Sequence, residues 1–134
     1  MTLLTSYFVS KPKRLEQMDD AFLSLTKGKS INNNPVFDLW VFESGTVIYK
    51  GISNVEKTGV YKTTVPLETI NKIKSLVNHL SPDDVGDAKG RENPLTIIKF
   101  NERKMVYQSV RAKGSLFKLN NLLEYIASTI NSDD

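Results

Sequence analysis

The stretch Val36-Phe37-Asp38-Leu39-Trp40-Val41-Phe42-Glu43-Ser44-Gly45-Thr46-Val47-Ile48-Tyr49-Lys50 decides the fold class. Two runs rich in aromatic and β-branched residues flank Ser44-Gly45, which suits a tight turn, so the whole reads as a β-hairpin. With a two-residue turn, Phe42 pairs with Val47 and Trp40 with Tyr49 on one face. Val41 then pairs with Ile48, and Leu39 with Lys50, on the other. Working outward, Gly59 to Val65 reads as a further strand. A second hairpin is expected from Leu95 to Val110, turning at Asn101-Glu102-Arg103, with its register open by one residue.

Two segments have the helical period instead. After Pro66, a residue at home in a first helical turn, Leu67, Ile70, Ile73, Val77 and Leu80 form one apolar stripe. Ser81-Pro82 ends it, because proline disfavours helical geometry in the residue before it. Ser115 is placed to cap a closing helix whose inner face is Leu116, Leu119, Leu123, Ile126 and Ile130. Upstream, Leu15, Met18 and Phe22 suit a helix after Pro12, yet Ala21 to Thr26 also alternates as a strand would, and both readings stand. Lys27 to Pro35 is a loop by its Gly, Asn and Pro content.

The expected architecture is therefore α+β: an antiparallel sheet of hairpins with two α-helices packed on one face, in the order β-hairpin, strand, helix, β-hairpin, helix. Residues 21–134 are read as a single domain, preceded by an N-terminal extension over 1–20 whose structure is left open. With 134 residues, 40% of them hydrophobic and 25% charged, the chain has the composition of a domain that buries its own core. It has no cysteine and a single histidine, His79, which rules out disulfides, thiolate chemistry and any site needing two imidazoles. No apolar run is long enough to span a bilayer. Met1 to Val9 has a short apolar stretch without a preceding basic segment or a cleavage site, which reads as cytoplasmic, or as a trimmed periplasmic or envelope-associated form.

The residues Asn34 to Gly51 resemble a bacterial family, the domain of unknown function 6438. A proline-aromatic strand, an acidic-Gly-Thr-Val turn and a Tyr-x-Gly ending carry the likeness. It extends through Val55 and Gly59 into the 66–80 helix, and resumes at Asn93-Pro94-Leu95-Thr96-Ile97-Ile98 and the last helix, covering about residues 21–130. The resemblance implies a cysteine pair before the first strand's proline in many members. Here those positions hold Ser30 and Asn34, so the chemistry of such a pair is absent. The family has no assigned activity, so the resemblance supports the fold and leaves function open.

The residues offer few chemical signals. The loop Asp83-Asp84-Val85-Gly86-Asp87-Ala88-Lys89-Gly90-Arg91-Glu92 is acidic but lacks the alternation of a calcium loop, and its own Lys89 and Arg91 would compete with an ion. Lys27-Gly28-Lys29-Ser30 lacks the spacing of a phosphate loop. His79 falls near a helix C-terminus, where the dipole suits it, with no nucleophile specified beside it. No catalytic, cofactor-binding or metal-binding residue is assigned. The expectation is a non-enzymatic interaction module with a protein partner. Its candidate surface comprises the aromatics Trp40, Tyr49 and Tyr61 and the basic residues Lys99, Arg103, Lys104, Arg111 and Lys113, with burial in the core as the competing reading for the aromatics, Trp40 and Phe42 above all. Alternatives are an anionic-ligand or nucleic-acid binder through the basic hairpin 99–118, and a hydrolase-type enzyme built on the acidic loop 83–92.

Overall fold

The computed structural model describes residues 18–87, 90 and 92–132. Six strands, β1 (Leu23–Lys27), β2 (Val36–Val41), β3 (Thr46–Ser53), β4 (Gly59–Thr64), β5 (Leu95–Phe100) and β6 (Arg103–Gln108), form one sheet in the order β4-β3-β2-β1-β5-β6. All five neighbouring pairs are antiparallel. Two helices, α1 (Leu67–Asn78) and α2 (Gly114–Ser132), cover one face, giving the two-layer α+β architecture expected from the sequence.

The ambiguous segment 21–26 resolves as strand from Leu23, and β1 is central, paired with β2 on one side and β5 on the other. Its inward residues Leu23, Leu25 and Lys27 are all buried. The helix expected after Pro12 begins in residues outside those described; Met18–Asp20 form a single 3-10 turn.

The first hairpin differs from expectation by one residue. Phe42 O accepts from Gly45 N at 3.0 Å, and Phe42 N donates to Thr46 O at 2.9 Å, so the loop is Glu43-Ser44-Gly45 with Gly45 at φ 97°. This is a turn followed by a left-handed residue, and it uses three residues where two were expected. Val41 therefore pairs with Val47, Trp40 with Ile48, and Leu39 with Tyr49. A one-residue shift moves every side chain to the other face relative to its partner strand. Trp40 and Tyr49 thus lie on opposite faces, where the two-residue turn would have put them together. The second hairpin has a two-residue turn, Asn101-Glu102, both at positive φ, with Phe100 opposite Arg103.

On the covered face, Leu25, Leu39, Val41, Val47, Tyr49 and Ile98 meet the helices at almost no exposure. The α2 stripe behaves as read, with all five residues buried. In α1, Ile70 and Ile73 are buried and Val77 and Leu80 pack against the core, but Leu67 at the open end of the helix is 62% exposed. α2 starts at Gly114, one residue before Ser115, so Ser115 lies inside the first turn. α1 ends at Asn78, and Ser81 instead caps the Pro82–Val85 turn through a reciprocal capping box with Asp84.

Candidate functional site

The alternation that buries Leu23, Leu25 and Lys27 sends Ser24 and Thr26 to the face without helices. Reading the cross-strand pairs there gives the row Lys62, Ile48, Trp40, Ser24, Lys99, Lys104. The next row is Val60, Lys50, Asp38, Thr26, Ile97, Val106. The central strand thus presents only small hydroxylated side chains, between taller residues on β2 and β5. The result is a trough along β1. One end is a recess of 270 Å³ bounded by Met18, Phe22, Ser24, Trp40, Lys99 and Glu102. The other is a recess of 490 Å³ bounded by Thr26, Gly28, Lys29, Leu95, Ile97 and Gln108.

Trp40 is half-buried in the trough wall, and Ile48 beside it is 7% exposed although neither described α-helix lies on this face. Leu95, Val106 and Val60 remain substantially exposed. The strand-borne charges on this face are Lys50, Lys62, Lys99 and Lys104 against Asp38, with Asp19 and Glu102 added at the Trp40 end. Lys99 and Lys104 are directly opposed across β5 and β6, an arrangement that costs stability unless something anionic approaches.

The candidate residues separate into three places. Trp40, Lys99 and Lys104 share the open face. Tyr49 is 0% exposed, bonded to Asn131 and stacked near Phe37, so it belongs to the core and not to a surface. The register of the first hairpin is the reason. Burial pushes its phenol pKa upward, partly offset by the Asn131 hydrogen bond. Tyr61, opposite Tyr49, lies at the edge of the helix-covered face with Lys57 over its ring. Arg103 lies over the Phe100 ring. Arg111 and Lys113 sit beyond β6 beside the 82–86 turn, where Lys113 N donates to Asp84 O. The basic residues of 99–118 thus do not form one patch.

Within the acidic loop, Asp84 is committed to capping: its carboxylate takes the Ser81 N–H and lies against Gly114 at the start of α2. Ala88, Lys89 and Arg91 lie outside the described residues. No group of three or more potential metal ligands occurs among the described residues. His79 closes α1, its Nδ1 donating to Ser75 O at 2.7 Å.

A polar cluster that the sequence reading missed lies under α2. Lys27 Nζ donates to Glu124 Oε2 at 3.0 Å and to Ser109 Oγ at 3.2 Å. Asn120 Nδ2 also donates to Glu124 Oε2, and Tyr107 OH donates to Asn120 Oδ1 at 2.6 Å. Thr96, paired with both Lys27 and Tyr107, has a buried hydroxyl without a hydrogen-bond partner among the described residues. Burial, and then the Glu124 charge, push the Tyr107 phenol far above its ordinary pKa. A serine beside a lysine invites comparison with a nucleophile and its base. Here Lys27 Nζ contacts Ser109 Oγ and Glu124 Oε2 alike, so the cluster provides polar partners for an inward-facing lysine. The signal for it was Lys27 at an inward strand position, unreadable without knowing that Glu124, 97 residues away, meets it.

Six antiparallel strands, helices on one face and on the other a trough that no described element covers define the α+β module. The chain belongs to the family described as domain of unknown function (DUF6438), whose model matches residues 21–130. No curated protein and no solved structure matches it. Ser30 and Asn34, where the resemblance implies cysteines in relatives, are joined by Ser30 Oγ donating to Asn34 Oδ1 at 2.7 Å. Asn34 Nδ2 also holds Gly28 O, so the pair ties the 28–34 loop together by hydrogen bonds. No helix among the described residues is long and apolar enough to cross a membrane.

Proposed function

We propose that the protein is a non-enzymatic binding module whose open sheet face receives an acidic segment of a partner protein. The observation that carries this reading is the row through Trp40, an indole midway across a sheet face that no described element covers, with lysines at both ends. An aromatic anchor beside small residues, rimmed by charge, is the anatomy of a protein-contact surface. Lys50, Lys62, Lys99 and Lys104 stand against Asp38, Asp19 and Glu102 on this face, a small cationic excess that favours an anionic occupant.

Single-stranded nucleic acid also combines charge with stacking, but sequential bases need successive aromatic platforms. Trp40 and Phe22 border one recess and no further aromatic follows along the strand rows of this face, which favours protein over nucleic acid.

Trp40 is the only tryptophan, so its fluorescence reports this face directly. Titration with a synthetic peptide of alternating glutamate and leucine should shift the emission. The shift should weaken with added salt and be lost in Lys99→Glu. Lack of response to the peptide, or a stronger response to polyuridylate, overturns the reading.

A further inference from the structure

Beyond β1 the open face is made by β5 and β6, and strand alternation decides what they show there. Leu95, Ile97 and Lys99 of β5 point to this face, and their cross-strand neighbours on β6 are Gln108, Val106 and Lys104. Leu95 is 49% exposed and Val106 41%. Along its strands this half of the face therefore divides into two unlike zones. An apolar strip of Leu95, Ile97 and Val106 comes first, and one row further on stands the opposed pair Lys99 and Lys104.

Each zone is incomplete by itself. Beside the strip lies the 490 Å³ recess bounded by Thr26, Gly28, Leu95 and Ile97, whose open surface is chiefly apolar and which no described element covers. Contiguous apolar surface left open at a recess is the usual mark of a contact site. At the lysine pair, two like charges face each other directly across the ladder, which costs stability. Neither Lys99 nor Lys104 has an ion pair among the described residues to relieve it. The two zones are one same-face step apart, about 7 Å along the strands.

We infer that this half of the open face selects its partner by parity: it takes an extended acidic segment whose aliphatic residue and carboxylate lie on the same side, two or four positions apart. The inference rests on the open-face reading above and names the sequence pattern that the face accepts. The aliphatic side chain enters the recess over Leu95 and Ile97, and the carboxylate meets Lys99 and Lys104. An extended chain turns successive side chains to opposite sides, so residues at odd separations cannot reach both zones at once. Acidic residues alone leave the strip wet, and aliphatic residues alone leave the lysines unrelieved. Glu102 in the β5–β6 turn and Asp19 across the Trp40 recess repel a carboxylate carried past the lysine pair. The acidic group therefore belongs at that row and not beyond it.

The test uses two peptides of one composition, titrated against the full chain. Trp40 emission is the signal, since Trp40 shares the row of Lys99. Leu-Ser-Glu-Ser-Leu-Ser-Glu carries its leucines and glutamates on one side, and Leu-Glu-Ser-Ser-Leu-Glu-Ser carries them on opposite sides. The first should bind at least about fivefold tighter. Leu95→Ser should weaken the first peptide about fivefold and the second little; Val106→Thr serves if Leu95→Ser does not fold. Lys104→Ala should weaken the first about two- to fivefold, and this loss should vanish in high salt while the loss at Leu95 persists. Equal affinity of the two peptides overturns the inference and leaves the open-face reading standing. If neither binds, the inference falls, and the alternating glutamate–leucine peptide decides whether the open-face reading falls with it. Binding of Gly-Ser-Glu-Ser-Gly-Ser-Glu as tight as that of the first peptide would reduce the site to charge. Emission that changes with protein concentration alone would assign the face to a second copy; either result also overturns the inference.

Discussion

On the covered side of the sheet, Leu25, Leu39, Tyr49 and Ile98 lie in the core shared with the two helices, with no measurable exposure. On the other side, Ile97 is half-buried and Leu95 and Val106 stay open to water, although they belong to the same strands or to their neighbours. One period-two alternation produces both surfaces, so composition alone does not separate them. What separates them is which face the amphipathic helices meet. The covered face is held by packing. The open face has no folding reason to keep a tryptophan beside lysines, and that is why it is read as a place of contact.

Truncating the covered face should show the largest effect. Leu123→Ala is expected to cost about 2–5 kcal/mol, measured by urea unfolding, because a fully buried leucine leaves a cavity. Trp40→Ala should cost about 1 kcal/mol or less, as substitutions away from the core do. Equal losses at the two positions would erase the distinction between the faces.

Gly45→Ala comes next. Gly45 is at φ 97°, and an added Cβ would lie 2.7 Å from Val65 O. A loss of about 1–3 kcal/mol is expected from the strained left-handed residue. If the substitution is silent, the three-residue loop is not what fixes the register.

A third effect appears at alkaline pH. The folded state holds the Tyr107 and Tyr49 phenols protonated, their pKa values raised above the ordinary value of about 10 chiefly by burial. The unfolded chain releases these protons first, so stability should hold below that value and fall as pH rises past it. Tyrosinate absorbance followed against unfolding should show part of the signal arriving only with denaturation. A full phenolate signal from the folded protein would contradict the burial of these two rings.

The smallest change is Thr96→Val. The Thr96 hydroxyl is buried and unpartnered among the described residues, so replacing it with a methyl of similar shape should leave stability unchanged or raise it by about 1 kcal/mol. Marked destabilisation would mean that the hydroxyl is satisfied in solution.

Much of this architecture could be read from the residues. Ile70 with Ile73, and the Leu116-to-Ile130 stripe, placed both helices and their inner faces, because the 3.6-residue period survives in any context. The hairpins were legible for the same kind of reason. Three things were not. The segment 21–26 satisfies both periods, and only pairing with β2 and β5 selects the strand. Gly45 signals a left-handed residue without saying whether the loop has two residues or three, and that integer assigns Tyr49 to the core and Trp40 to the trough. Of the candidate site, Trp40, Lys99 and Lys104 were named from sequence, but their shared row depends on register, and the trough floor of Ser24 and Thr26 carries no local signal.

The loop Glu43-Ser44-Gly45 has a further consequence for how this chain can tolerate changes of length. Because it sets the parity of β2 against β3, deleting or inserting a single residue there would exchange interior for exterior along one strand, whereas a change of two would conserve the assignment. The connection between β3 and β4 is held differently: Val55 packs against the core and Lys57 N donates to Asn131 Oδ1. Natural variants of this domain should therefore change length at the first hairpin only in even steps.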